Sequence, residues 1–281
     1  MKKTIFITIL FVFIHCGVVS KLTEKQICGI VDNAVIALYE ESNLTIARSA
    51  IESDIKLLEG LTKTYENNKR LGALLSQAYC AYSLGFVEDY QKEEGIAIYR
   101  RGRKEAEKIL GIHLDEITSE ELKNKLNSFK PSRIDGVFWA AFNWSLELFL
   151  SLDDPSAIMN LSKIKILMDW VTEKNSRYYF GAPYIFWGAY YAILPPIAGG
   201  SLEKSKEFFN LAFETSENRF LLAHYYFLSQ YCLTLLDEEL FDSTYNKIIN
   251  FDLEQFPQQR LANQIAKEKA RLLYGKKNEF F

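Results

Sequence analysis

The chain has 281 residues, 48% hydrophobic, 14% aromatic and 25% charged, with 33 Lys and Arg against 36 Asp and Glu, 4 Cys and 6 Pro. This composition excludes disordered, collagen-like and disulfide-scaffold classes, and the near-neutral charge lacks the basic footprint of a nucleic-acid binder. A chain of this length buries enough surface for one large core or a row of stacked repeats, and its surplus is aromatic, with 20 Phe, 16 Tyr and 4 Trp.

The first element in chain order is an address. Met1-Lys2-Lys3 gives a short positive region, Thr4 to Ile14 an apolar stretch, and Val18-Val19-Ser20 a small-residue end suited to a signal peptidase. The apolar stretch is shorter than the roughly 20 residues of a membrane-spanning helix. Residues 1–20 are therefore read as a secretory signal peptide and 21–281 as a single all-helical repeat domain in the periplasm. Alternatively Cys16, followed by Gly17, is the acylated first residue of a lipoprotein, although His15 stands where a small residue is usual.

Beyond the signal, apolar residues recur at helical spacing between Gly and Pro breaks, and no stretch reads as a strand. The pattern predicts helices over 23–41, 45–66, 70–90, 96–110, 118–128, 135–151, 155–173, 183–194, 201–215, 219–236, 238–250 and 255–274. Capping signatures mark several starts: Thr23 with Gln26, Thr118 with Glu121, Asp154 before Pro155, Ser201 after Gly199-Gly200, and Asp252 with Gln255. The segment 111–134, with Pro131 and little apolar content, reads as a crossing between two halves. Tyr178 to Leu202 has no charged residue, but Pro183, Pro195, Pro196 and Gly199-Gly200 cut it into pieces too short to span a bilayer. A buried central helix is the expectation there.

Internal echoes organise these helices into pairs. Phe138-Trp139-Ala140-Ala141-Phe142 recurs as Phe186-Trp187-Gly188-Ala189-Tyr190, 48 positions on, and Tyr190-Tyr191 recurs as Tyr225-Tyr226, 35 positions on. A weaker echo is Ala78-Tyr79-Cys80-Ala81-Tyr82. Each echo lies in a helix rich in aromatic and small residues, followed by a more charged amphipathic helix. Four such helix-turn-helix units resemble tetratricopeptide-like repeats, in which small residues let paired helices approach and aromatics fill the next layer. In the helix after Ser201, Leu202, Ser205, Phe209, Ala212 and Phe213 form one stripe.

Local signatures of catalysis are missing. His113 and His224 lie far apart beyond the signal, and there is no HExxH, CxxC, GxSxG, GxGxxG or phosphate loop, so neither metal, cofactor nor enzymatic activity is expected. The pairs Glu40-Glu41, Glu93-Glu94 and Glu238-Glu239 read as solvated helix ends, a two-carboxylate glycosidase site being the other reading. His224 reads as a packed residue and Arg100-Arg101-Gly102-Arg103-Lys104 as a solvated helix face, with anion or lipid attraction as the alternative. Cys28, Cys80 and Cys232 read as buried free thiols, with a Cys80–Cys232 bridge as the alternative.

Several motifs taken together resemble a known family. Leu75 to Phe86, the Trp139/Trp144 helix, Gly181-Ala182-Pro183-Tyr184, the Gly199 to Lys206 turn, Asn218 to Ala223 and Gln259 to Lys267 are similar to the T-component of tripartite ATP-independent periplasmic (TRAP) transporters, over roughly Ile27 to Tyr274. The resemblance implies a periplasmic, often lipid-anchored helical protein that forms a homotrimer and docks the transporter's solute-binding subunit. It also implies a hydrophobic small molecule or lipid as cargo.

The residue-level reading meets that implication in the aromatic helices. A cavity for an apolar ligand needs aromatic and small residues facing inward with few charges, and Tyr and Trp add a polar tip that orients a head group. Trp139, Trp144, Tyr184, Trp187, Tyr190 and Tyr191 are the candidate ligand-binding residues, ordinary inter-repeat core being the plain alternative. A generic envelope repeat scaffold for protein–protein interaction, without ligand, is the competing function.

Overall fold

The computed structural model describes residues 23–152 and 159–281. The signal over 1–20, Cys16 and the Asp154-Pro155 helix start lie outside the described residues. All regular structure within them is helical, and the chain is an all-α domain. After α1 (23–39) come α2 (Leu44–Thr64), α3 (Lys69–Phe86), α4 (Lys92–Leu110), α5 (Ser119–Asn127), α6 (Ile134–Phe149), α7 (Leu161–Asn175), α8 (Tyr178–Ile193) and α9 (Leu202–Thr215). The helix α10 starts as Leu221–Tyr226, widens to a π-helical turn over Phe227–Cys232 and ends at Leu233–Leu235; α11 (Glu238–Ile249) and α12 (Arg260–Tyr274) follow.

Local chemistry accounts for the boundaries. Thr118 and Glu121 form the reciprocal capping box, and the Ser201 hydroxyl accepts from the Lys204 amide at 3.2 Å. Glu93-Glu94 and Glu238-Glu239 occupy first turns, where carboxylates complement the helix dipole. Asp252 caps a short 3₁₀ turn instead of the last helix, because Pro257 removes an amide there and a second 3₁₀ turn intervenes before Arg260. The segment 111–134 is not a bare crossing. It carries α5, whose Leu122 and Leu126 are buried, and α4 packs directly on α6.

The predicted pairs are partners in space: α3 with α4, α6 with α7, α8 with α9, and α10 with α11. Small residues set the closest approaches. A Cβ at Gly188 would lie 2.7 Å from the Phe209 ring, and the Ser205 hydroxyl donates to the Gly188 carbonyl at 2.7 Å. Gly102 meets Asn143 in the same way, while the Ser76 hydroxyl donates to the Gly102 carbonyl at 2.7 Å. Gly188→Ala is therefore expected to destabilise by about 1–3 kcal/mol through overpacking, read as a lower denaturant midpoint at unchanged m-value.

The array closes on itself. Leu261 and Ile265 of α12 join Val31, Ala47, Ile51 and Leu75 in an N-terminal core cluster beside the main one. Lys269 of α12, 2% exposed in its side chain, reaches Glu88 and Asp89 after α3 at 2.6 Å each. The first helices of the pairs thus line an interior that closes where α12 returns to α1, α2 and α3.

Candidate functional site

That interior contains a two-lobed apolar cavity. The outer lobe, about 270 Å³, lies among α6, α7, α8 and α10, with Phe142, Leu146, Ile164, Phe186, Tyr190 and Tyr226 in its wall. The inner lobe, about 70 Å³, is lined from α1, α3, α6, α8, α10 and the approach to α12 by Tyr39, Gln77, Cys80, Trp139, Tyr179 and Gln259, among others. Phe142, Ile185 and Tyr226 belong to both walls, so the lobes adjoin. No charged side chain lines either lobe. A larger recess of about 520 Å³ lies elsewhere, against Glu59, Lys63, Glu66, Lys69, Glu105 and Lys108. Its mixed charges make it a solvated cleft without a coherent ligand chemistry.

The polar atoms of the inner lobe are neutral. Gln77 Nε2 donates to the Tyr39 hydroxyl and, at 3.3 Å, to that of Tyr179. Burial pushes the Tyr39, Tyr179 and Tyr226 hydroxyls and the Cys80 thiol above their ordinary values, so all keep their protons at neutral pH. Cys80 and Cys232 are buried without a bridge, and Cys28 accepts from Asn68 Nδ2 at 3.3 Å.

One wall of the cavity is strained. Tyr179 (φ 45°, ψ 59°), Phe180 (φ 60°, ψ 31°) and Gly181 (φ 81°, ψ 23°) are consecutively left-handed, and regular helix resumes at Ala182 with Pro183 in its first turn. Each non-glycine residue so held costs about 1–3 kcal/mol. Aromatic packing holds them: Tyr179 lies 5.3 Å from Trp139 and 6.2 Å from Phe220, and Phe180 lies 5.3 Å from both Phe220 and Phe256.

Of the six aromatics singled out from sequence, Trp139 lines the inner lobe and Tyr190 the outer. The other four stand away from both lobes. Trp144 is buried beside an ion cluster, with Arg103 4.8 Å and Lys163 6.0 Å from its ring. Trp187 donates its indole N–H to Thr172 at 2.8 Å, and Tyr184 and Tyr191 pack against Phe208 at 6.3 and 5.7 Å.

The basic run on α4 differs from the solvated face expected of it at Gly102, which packs on Asn143, and at Arg103. Arg103 is 3% exposed and pairs with Glu107, Asp115 and Glu147, because α6 and the 111–118 segment cover it. Burial alone would raise the Asp115 carboxyl, yet hydrogen bonds from Lys104 and Arg103 lower it to about 2.

Sequence reasoning missed Phe142, Tyr226, Tyr39, Gln77 and Gln259. For Phe142 a signal existed, since it is the echo position of Tyr190, and both line the outer lobe. Among the described residues, no group of His, Cys, Asp and Glu could hold a metal ion, and no helix is long and apolar enough to cross a membrane. The family model of the TRAP transporter T-component (TAtT) matches residues 40–281. No curated protein matches the chain.

Proposed function

Because the chain belongs to the TRAP transporter T-component family, and so is an accessory component of a TRAP transporter, we propose that it holds an apolar ligand in the periplasm and passes it on while docked to the solute-binding subunit. The supporting observation is the two-lobed cavity, whose wall carries aromatic and aliphatic side chains and no charge. Burying a methylene gains about 0.8 kcal/mol. An alkyl chain of about ten carbons gains roughly 8 kcal/mol before the cost of association is subtracted, enough for useful binding by hydrocarbon alone. Periplasmic delivery rests on the signal at residues 1–20 and a membrane tether on Cys16, while assembly as a homotrimer rests on the family resemblance.

Native mass spectrometry of the purified chain tests the reading. A lipid or other long-chain molecule is expected to accompany the wild type. Ala189→Trp, which places an indole in the outer lobe, is expected to lower its occupancy at least tenfold. A pull-down is expected to capture the cognate solute-binding subunit. An empty wild-type cavity together with no capture sinks the proposal and favours the ligand-free scaffold.

A further inference from the structure

Two side chains that line the inner lobe each hold a polar atom buried without any partner in the protein, the Tyr226 hydroxyl and Gln259 Oε1. Tyr226 is 8% exposed and Gln259 2%. Both side chains line the inner lobe, and Tyr226 also lines the outer one. The neighbouring polar pair behaves differently, since Gln77 already satisfies the Tyr39 and Tyr179 hydroxyls. Buried polar groups are paired in the great majority of cases, so two orphans on the wall of one apolar cavity point to a ligand group that completes them.

Their chemistry defines that group. Gln259 Oε1 only accepts, so the ligand must bring an N–H or O–H; the Tyr226 hydroxyl has a proton to give, so the ligand must also bring an acceptor oxygen. The charges nearby define it further. No cation lines either lobe. Beyond burial, Glu88 and Asp89 push the Tyr226 hydroxyl up, and Lys269 is already bonded to both carboxylates at 2.6 Å. An anionic head group would lose its water there and find no counter-charge.

We propose that the cavity selects amphiphiles with an uncharged head group that both donates and accepts, such as a primary amide or alcohol, seated between Tyr226 and Gln259, and disfavours ionised carboxylates of the same chain length. This rests on the apolar-ligand reading above and assigns its substrate class.

The test is displacement of 1-aminoanthracene, an uncharged apolar fluorophore, from delipidated full-length chain at about pH 8. Dodecanamide and dodecanol are expected to displace it at concentrations at least tenfold lower than dodecanoate. The Tyr226→Phe/Gln259→Leu double variant is expected to retain the fluorophore and to narrow the gap to less than threefold. The proposal is overturned if dodecanoate competes as well as dodecanamide against the wild type, an outcome that needs no variant to fold. It is overturned equally if the double variant binds the fluorophore and keeps the full gap. Should neither the fluorophore nor any of the three amphiphiles bind, the apolar-ligand reading falls and takes this inference with it. Binding with the order reversed removes the head-group inference alone.

Discussion

Replacing Lys269 with methionine is expected to lower the stability of the fold by about 3–5 kcal/mol, because it strips the cation from a buried ion pair and leaves its partner charged. Lys269 Nζ bonds Glu88 and Asp89 at 2.6 Å each, and its side chain is 2% exposed against 10% for Glu88. Burial holds the Glu88 carboxyl above its ordinary value, and Lys269 and the donating Tyr99 hydroxyl offset only part of that rise. The methylene stem of Met fills much of the same volume, so packing loss is small beside the orphaned charge. Thermal unfolding should shift down by about 10 °C. Lys269→Met/Glu88→Gln should recover most of the loss, since it removes both charges together. A double variant as unstable as the single one would show that packing, not charge, holds α12 to the end of α3. The consequence reaches the cavity, because Leu261, Ala262 and Ile265 of that helix form part of the inner-lobe wall.

The helices and their pairing were legible because the forces that set them are local. Apolar spacing, the Thr118–Glu121 box and the Ser201 cap act within a turn or two. The echo between 138–142 and 186–190 marked which helices are equivalent. What local pattern could not show is the left-handed run at Tyr179 and Phe180, residues with no intrinsic preference for φ above zero, held there by Trp139, Phe220 and Phe256 from other helices. The π turn over Phe227–Cys232 carries no local signature either.

The same limit governs the site. In α8 two apolar stripes wind round one helix. Ile185, Phe186, Ala189, Tyr190 and Ile193 face the outer lobe, whereas Tyr184, Trp187, Gly188 and Tyr191 face α9. Hydropathy cannot separate them, since both are aromatic. Gly188 could have, because a residue without a side chain marks the face where a neighbouring helix comes closest. Trp139 and Trp144, five positions apart on α6, diverge by more than a right angle at 100° per residue, and only the first reaches the cavity. Gln259 joins Tyr39 and Gln77 only when the end of the chain returns to the first helices, a contact spanning most of the chain.

Acidification from about pH 7 to about pH 5 is expected to lower stability by about 2 kcal/mol through one residue, His224. The imidazole is 2% exposed and stacks on Phe213 with centroids 4.2 Å apart. Its Nε2 has no partner, and a hydrogen bond to the Asn218 backbone favours the cation only in part. Burial disfavours the cation first, and Lys247, which lies 5.6 Å from the Phe213 ring centroid and bonds Asn218 Oδ1 at 3.0 Å, disfavours it further. Together they lower the group to about 3. In the unfolded chain it titrates near 6.5, so between those values the unfolded state holds one more proton than the folded one. Stability is therefore undiminished above about pH 6.5 and falls as pH drops through the window, by at most about 1.4 kcal/mol per unit. Chemical denaturation at a series of pH values reads the slope. His224→Phe keeps the ring stack and has no proton to bind, so its stability should stay nearly flat over the same range. A wild type equally stable at both ends would overturn the prediction, and a Phe variant that keeps the full loss would place the acid sensitivity elsewhere in the molecule.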